Sequence, residues 1–186
     1  DAGRICTGNE CQSLIAMLNL RLVETAVLID ITRIEELQTI RVVSGMLEVG
    51  AAVTQNRLLA FSELHTRIPL LAKMLPWVGH YQTRNRGTVC GSIAHADPSS
   101  EIPLALAMLE GDVVLRSRRG TRTLKAAEFQ TGMLTTERAP DATARDVDAQ
   151  TAVAGVAPAA IIGIQGDAAT GLEFRIADRR TGRTVI

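Results

Sequence analysis

Aromatic side chains and unbalanced charge are both lacking in this chain of 186 residues. Phe, Trp and Tyr make up 3% of it, with a single Trp and a single Tyr, so it has no row of rings on which bases could stack. Lys and Arg number 20, and so do Asp and Glu. Because binding to phosphate backbones draws most of its affinity from excess positive charge, we expect no nucleic-acid partner and no attraction to an acidic membrane surface.

Cysteines and long apolar runs are also few. Cys6, Cys11 and Cys90 are an odd number without zinc-ribbon spacing, which argues against a disulfide framework and against a structural zinc site. No apolar run approaches the roughly 20 residues of a membrane-spanning helix, and the first residues, DAGRICTG, lack the plan of a signal peptide. We therefore expect a cytoplasmic protein with no membrane partner.

The chain does contain enough apolar sequence for a core. Hydrophobic residues make up 46% of it and charged residues 22%, as in a soluble globular domain. Strand-like and helix-like patterns alternate between residues 5 and 129. The run VLIDI at 27–31 predicts a buried strand, and RVVSGMLEV at 41–49 predicts a hairpin that turns at 44–45.

Helix starts are predicted from capping residues. Thr54 predicts the N-cap of one helix, and Thr32 with Glu35 predicts a capping box for another. Asp97 before Pro98 predicts a third N-cap, since proline is tolerated at the first helical position.

Three further stretches have distinct patterns. Residues 80–97 have few apolar residues at helical spacing, which predicts a loop around one short strand. The segments DVVLRS and RTLKAAEF predict paired strands. Beyond Arg138 the sequence is rich in alanine, marked by proline and almost without large apolar residues, which predicts a linker or a poorly packed tail.

Two glycine-bearing segments, TGNECQS at 7–13 and RGTVCGS at 86–92, carry small hydroxyl and amide residues. In such segments successive backbone N–H groups can converge on an anion, and two of them facing each other could hold a diphosphate. The alternative is that each is only a tight turn. Neither has the Gly-Lys-Ser/Thr of a P-loop, and no G-x-G-x-x-G occurs in the chain.

Other reactive residues have simpler explanations. His95, Asp97 and Glu101 are close in sequence, but Asp97 is explained as an N-cap, and Glu101 lies in a first helical turn, where acids complement the dipole. We therefore expect no metal site. Cys90 has no visible catalytic partner, which favours a small buried thiol over a nucleophile.

The stretch RNRGTVCGSIAHADPSSEIPLALAMLEG closely resembles the flavin-binding subunit of the molybdenum hydroxylases, the family of xanthine dehydrogenase and the medium subunit of aerobic carbon monoxide dehydrogenase. Upstream, SLIAMLNLRL, VLIDITRIEEL and LEVGAAVT are similar to the same family in the same order. The resemblance covers roughly residues 4 to 138. It implies an α+β fold of the vanillyl-alcohol-oxidase (PCMH-like) type, in which FAD binds between two subdomains.

The resemblance also implies domain boundaries. The FAD-binding domain would span 1–138, with a small α/β part at about 1–53 and a larger α+β part at about 54–138. Residues 139–186 would be a linker and the remnant of a C-terminal domain that is otherwise largely missing.

Carried over by position, the resemblance implies cofactor contacts from backbone amides of two segments and from three further residues. The first segment is Ile5, Cys6, Thr7, Gly8, Asn9, Glu10, Cys11, Gln12 and Ser13, the second is Gly87, Thr88, Val89, Cys90, Gly91 and Ser92, and the other residues are Ala52, Thr54 and Glu101. Cys90 stands where the family usually has glycine. If that position needs a positive φ, a side chain there costs about 1–2 kcal/mol.

The family role implied is that of an FAD-binding electron-transfer subunit. A molybdopterin subunit would oxidise the substrate, an iron–sulfur subunit would relay the electrons, and FAD would pass them to NAD, a quinone or oxygen. Two alternatives stay open: a truncated remnant that binds no flavin and serves in structure or interaction, and a stand-alone flavoreductase of related fold. The intact GTVCGS and DPSSE region favours the flavin subunit, whereas the faded resemblance after Arg138 favours the remnant.

Overall fold

The computed structural model describes residues 5–7, 11–22, 27–43, 45–117, 120–137 and 152–154. It begins with a strand–helix–strand unit: β1 (Ile5–Thr7), α1 (Cys11–Asn19) and β2 (Val27–Ile29). The two strands are parallel, with Ile5 opposite Val27. The sequence predicted a loop through Ser13, but the helix already begins at Cys11. Ala, Met and Leu, which follow closely, are strong helix formers, so the helix extends back towards the strand.

A five-stranded sheet has the order β3-β4-β9-β5-β6, and every pair in it is antiparallel. The strands are β3 (Ile40–Val43), β4 (Met46–Val49), β5 (Asp112–Ser117), β6 (Gly120–Lys125) and β9 (Ala152–Ala154). The predicted hairpin at 41–49 is confirmed, and Gly45 has a φ of 84°, which glycine adopts without strain. The central strand β9 comes from the stretch that the sequence predicted to be a linker.

Short helices pack with this sheet and supply about half of the buried core. They are α2 (Gln55–Leu59), α3 (Leu64–Arg67), α4 (Pro69–Met74), α5 (Tyr81–Arg86), α6 (Val89–His95), α7 (Glu101–Met108) and α8 (Ala126–Phe129). A small hairpin of β7 (Gln130–Gly132) and β8 (Thr135–Thr136) follows. The fold is therefore α+β, as predicted. Its core joins helix residues such as Leu58, Ile93 and Leu106 to strand residues such as Val49 and Val113.

The passage at 80–97 differs from its prediction, because it holds two helices, α5 and α6, and no strand. Helix α5 buries none of its side chains, so apolar periodicity could not reveal it. Its Arg84 donates through Nη1 to the carbonyl oxygens of Val78 and Gly79, at 3.1 and 2.9 Å. These contacts tie the helix to the turn before it.

Two of the predicted caps are wrong. The Thr32–Glu35 box does not form, because Thr32 donates both its N–H and its hydroxyl to Asp30, and only a 3₁₀ helix, Glu35–Gln38, follows. Asp97 likewise accepts from the N–H and hydroxyl of Ser99, at 2.8 and 2.7 Å. It closes a local turn, and α7 begins four residues after Asp97.

Candidate functional site

The starts of α2 and α6 are joined by main-chain hydrogen bonds. Gln55 N donates to Gly87 O at 3.0 Å, and Val89 N donates to Val53 O at 3.1 Å. These bonds flank an isolated antiparallel bridge between Thr54 and Thr88. We call residues 53–55 and 87–89 the threonine junction. It brings together two of the sequence motifs, GAAVT and GTVCGS, that the resemblance assigned to the cofactor.

Both threonines of the junction are helix N-caps. Thr54 Oγ1 accepts from Arg57 N at 3.2 Å, which confirms the predicted cap. Thr88 Oγ1 accepts from Gly91 N at 2.9 Å, and Thr88 is only 1% exposed. The second predicted loop is therefore the first turn of α6, because this buried hydroxyl satisfies one of the N–H groups that a helix start leaves unpaired.

Several donors expected to face an anion are bonded within the protein instead. Val89 N donates to Val53 O, Gly91 N to Thr88 Oγ1, and Ser92 N to Thr88 O. The backbone N–H groups of Thr54 and Thr88 do not form such bonds. The two residues are a non-hydrogen-bonded pair of an antiparallel bridge, in which each N–H points away from the partner segment. Neither has an acceptor among the described residues. A buried N–H without a partner is rare in native proteins, so the Thr88 N–H calls for an external acceptor.

The space around Gly87 is tight for any larger residue. A Cβ built there would lie 3.1 Å from Thr83 O and 3.3 Å from the Nε2 atom of Gln55. Gln55 is 5% exposed, and its Oε1 atom has no hydrogen-bond partner among the described residues. Gln55 could not be selected from the residue pattern, apart from its place next to Thr54, because an unpaired side chain is recognisable only once the packing is known.

Cys90 is fully buried, as predicted, and lies in the first turn of α6. Its Sγ atom is 3.3 Å from Gly50 O and 3.8 Å from Val49 O. Cys90 is absent from the residues with positive φ, so the strain considered for a side chain at this position does not arise. The thiol fills space between α6 and the end of β4.

The acidic residue assigned to the cofactor, Glu101, is exposed and begins α7. The hydroxyls of Ser92 and Ser100 are 2.8 Å apart, so Glu101 follows directly after a contact with the second segment. The pKa of Asp97 is held below its ordinary value, chiefly by the hydrogen bond from the Ser99 side chain. Asp97 thus carries a negative charge at neutral pH, and it lies four residues before Glu101 in the chain.

The first segment is described in part. Ile5, Cys6 and Thr7 form β1, while Cys11, Gln12 and Ser13 form the first turn of α1. Gly8, Asn9 and Glu10 lie outside the described residues. Helix α1 contacts α5, the helix that ends at Arg86, directly before the second segment. The separation of Gly8 and Gly91 stays a prediction.

Ala52 is buried beside the junction, and its N–H donates to Leu37 O at 2.8 Å. Its main chain is therefore used to hold the 3₁₀ helix against β4. A contact between Ala52 and the cofactor also stays a prediction.

Replacing Thr88 by Val should destabilise the fold by about 2 kcal/mol, because Gly91 N would be left buried without its acceptor. Urea unfolding followed by circular dichroism measures this change. Thr88→Ser is the matched control, and it should retain most of the stability because it keeps the oxygen. Equal losses in the two variants would contradict the assigned cap.

Within the described residues, no group of three or more His, Cys, Asp or Glu side chains could hold a metal ion. A search of the same residues finds no helix with the length and apolar character needed to span a membrane.

The domain contains a strand–helix–strand unit and a second helix start whose buried Thr88 N–H has no acceptor among the described residues. These features suit an anionic cofactor that carries many hydrogen-bond acceptors. The family model described as "FAD binding domain in molybdopterin dehydrogenase" matches residues 4–148. The chain therefore belongs to this family of flavin-dependent oxidoreductases, and FAD is its cofactor. The resemblance seen in the sequence is confirmed.

Several curated relatives are similar to this chain. The glyceraldehyde dehydrogenase medium chain of Sulfolobus acidocaldarius is 34% identical over 68% of this chain and 45% of the relative. The carbon monoxide dehydrogenase medium chain of Hydrogenophaga pseudoflava is 38% identical over 64% of this chain and 42% of the relative. The chain thus spans less than half the length of these relatives.

Solved structures agree with these relatives. Quinoline 2-oxidoreductase from Pseudomonas putida 86 is 36% identical, with a TM-score of 0.70 over 73% of this chain and 47% of that chain. Carbon monoxide dehydrogenase from Hydrogenophaga pseudoflava is 35% identical, also with a TM-score of 0.70 over 73% of this chain. The overall fold is therefore shared with proteins of the family.

Proposed function

We propose that this chain is the FAD-binding, electron-transferring part of a multi-subunit molybdenum hydroxylase. It takes electrons from an iron–sulfur subunit and passes them to NAD, a quinone or oxygen, while a molybdopterin subunit oxidises the substrate. The single observation that carries this proposal is the threonine junction, where the buried Thr88 N–H has no acceptor among the described residues. The family match at 4–148 supports the same reading.

The residues present fit FAD through main-chain donors and close backbone packing. We propose that the Thr88 N–H and the N–H groups at the start of α1 stabilise the negative charge of a diphosphate. Gly87 permits the close packing that positions Thr88. We propose that the two segments, 5–13 and 87–92, lie on two subdomains and hold the cofactor between them, with Ala52, Thr54 and Glu101 as further contacts.

The protein itself supplies position and electrostatics. FAD provides the electron chemistry when it is bound, so no acid or base from the chain is needed for electron transfer. Burying the cofactor between packed elements excludes water and fixes its distance from an incoming electron donor. The cysteine Cys90 is buried in the core, and three cysteines in the whole chain are too few for a four-cysteine cluster. We propose that the iron–sulfur subunit of the complex holds the clusters.

Purified protein mixed with FAD should keep the flavin absorbance bands after gel filtration. The bound flavin should then bleach when at least two equivalents of a reduced [2Fe–2S] ferredoxin are added without oxygen, because each ferredoxin donates one electron and full reduction of the flavin takes two electrons and two protons from water. The control is the same mixture without the chain, which gives the rate for free FAD. Protein that stays colourless and takes up no added FAD would reject the proposal and would favour the structural remnant.

A further inference from the structure

The side chain of Gln55 is polar and buried, and its amide oxygen lacks a hydrogen bond in the described part of the chain. Gln55 is the first residue of α2, it is 5% exposed, and its Oε1 atom has no partner among the described residues. Burying an amide oxygen without a hydrogen bond is costly, and native proteins supply a partner for the large majority of such groups. A partner from outside the described residues is therefore expected at this position.

The neighbouring polar side chains are occupied with one another. Asn56 Nδ2 donates to Asn85 Oδ1 at 2.8 Å, and Asn56 Oδ1 accepts from Arg84 Nε at 3.1 Å. Arg84 uses Nη1 for main-chain carbonyls at 78 and 79. The network between α2 and α5 thus occupies Asn56 and Arg84 and provides no partner for Oε1 of Gln55.

The carboxamide lies at the threonine junction. Its Nε2 and Cδ atoms are 3.3 and 3.7 Å from the position that a Cβ on Gly87 would take. The main chain of Gln55 is fixed there as well, through its hydrogen bond to Gly87 O. Gln55, with its unpaired oxygen, therefore packs against the residue that precedes Thr88. The buried N–H of Thr88 also has no acceptor among the described residues.

We propose that Gln55 is a further cofactor-binding residue, whose Oε1 accepts a hydrogen bond from a hydroxyl or amino group of FAD. This rests on the proposed function. An acceptor needs a donor, and the ionised diphosphate has none, so the partner is a ribityl hydroxyl, a ribose hydroxyl or the adenine amino group. The main-chain donors then bind the diphosphate, and Gln55 recognises the uncharged part next to it.

The test replaces Gln55 by Met, which has similar length and no amide. In the full chain, the dissociation constant for FAD should rise about tenfold, which corresponds to one lost hydrogen bond of about 1.4 kcal/mol. Titration of flavin fluorescence measures this constant. The thermal midpoint of the cofactor-free protein should stay the same or rise, because a buried unpaired oxygen has been removed. A residue with a purely structural role would instead lower that midpoint.

The matched control is Gln130→Met, because Gln130 Nε2 is also buried without a partner among the described residues. It follows α8 and should leave FAD affinity unchanged. A second titration with ADP locates the partner: weaker ADP binding places it in the adenosine half, and unchanged ADP binding with weaker FAD binding places it in the riboflavin half. Either result supports the proposal.

An FAD affinity within twofold of the unsubstituted protein, or a lowered midpoint of the cofactor-free Gln55→Met protein, would overturn the assignment of Gln55. Should Gln55→Met not fold, the smaller Gln55→Leu is read in its place, and failure of both would show that the fold itself needs the amide. Unsubstituted protein that binds no FAD would instead reject the proposed function, so the two failures are distinguishable.

Discussion

Gly50→Ala is expected to lower the free energy of unfolding by about 3 kcal/mol. A Cβ at this position would lie 2.2 Å from Leu37 O and 2.6 Å from Leu37 C. Those are backbone atoms, which cannot rotate away as the end of a side chain can. The segment is also held in place, since Gly50 N donates to Thr39 O and Ala52 N donates to Leu37 O, both at 2.8 Å. Chemical denaturation measures the loss directly.

Gly132→Ala is the matched control for this substitution. A Cβ there would meet only the Thr135 side chain at 3.8 Å or more, an ordinary contact, and the residue is exposed on β7. Its stability should change by less than about 0.5 kcal/mol, as for most surface substitutions. Similar losses in the two variants would mean that the packing of Gly50 against Leu37 is not the cause.

Gly91→Asp is expected to weaken FAD binding by roughly 100-fold. Gly91 is buried in the first turn of α6, next to the proposed position of the diphosphate. A carboxylate about 5 Å from a phosphate charge, at an effective dielectric constant of about 20, costs roughly 3 kcal/mol. Flavin retained after gel filtration, and the dissociation constant from fluorescence titration, measure this effect.

Gly91→Asn separates charge from size, because it has the shape of Asp without the charge. It should retain more than about ten times the affinity of the Asp variant, with a similar circular dichroism spectrum. If the two variants lose FAD equally, the cause is steric, and the diphosphate does not lie beside Gly91.

The cap at Thr54 was predictable from the sequence, whereas the caps predicted at Thr32 and Asp97 did not form. The cap at Thr54, the turn at Gly45 and the start of α4 at Pro69 all follow from residue type and spacing. Helix α5 was not predictable, because it buries none of its side chains and is held by the contacts of Arg84 with the preceding turn. Tertiary contacts outweigh the weak local preference in such a short helix.

In the candidate site, too, some features were predictable from the sequence and others were not. The two cofactor segments were recognisable because they match family motifs, but their conformation was predicted as loops. The structure places Thr88 to Ser92 at a helix start, where three N–H groups bond inside the protein. Gln55 could not have been found from the sequence, since burial without a hydrogen bond depends on how α2 packs against Gly87.

The position of β9 has a consequence for synthesis on the ribosome. Its residues, Ala152–Ala154, pair with β4 on one side and with β5 on the other. Until this part of the nascent chain emerges, the strands at 46–49 and 112–117 each present an unpaired edge to solvent, and such edges invite pairing with other chains. Completion of the sheet therefore depends on a late, long-range pairing step.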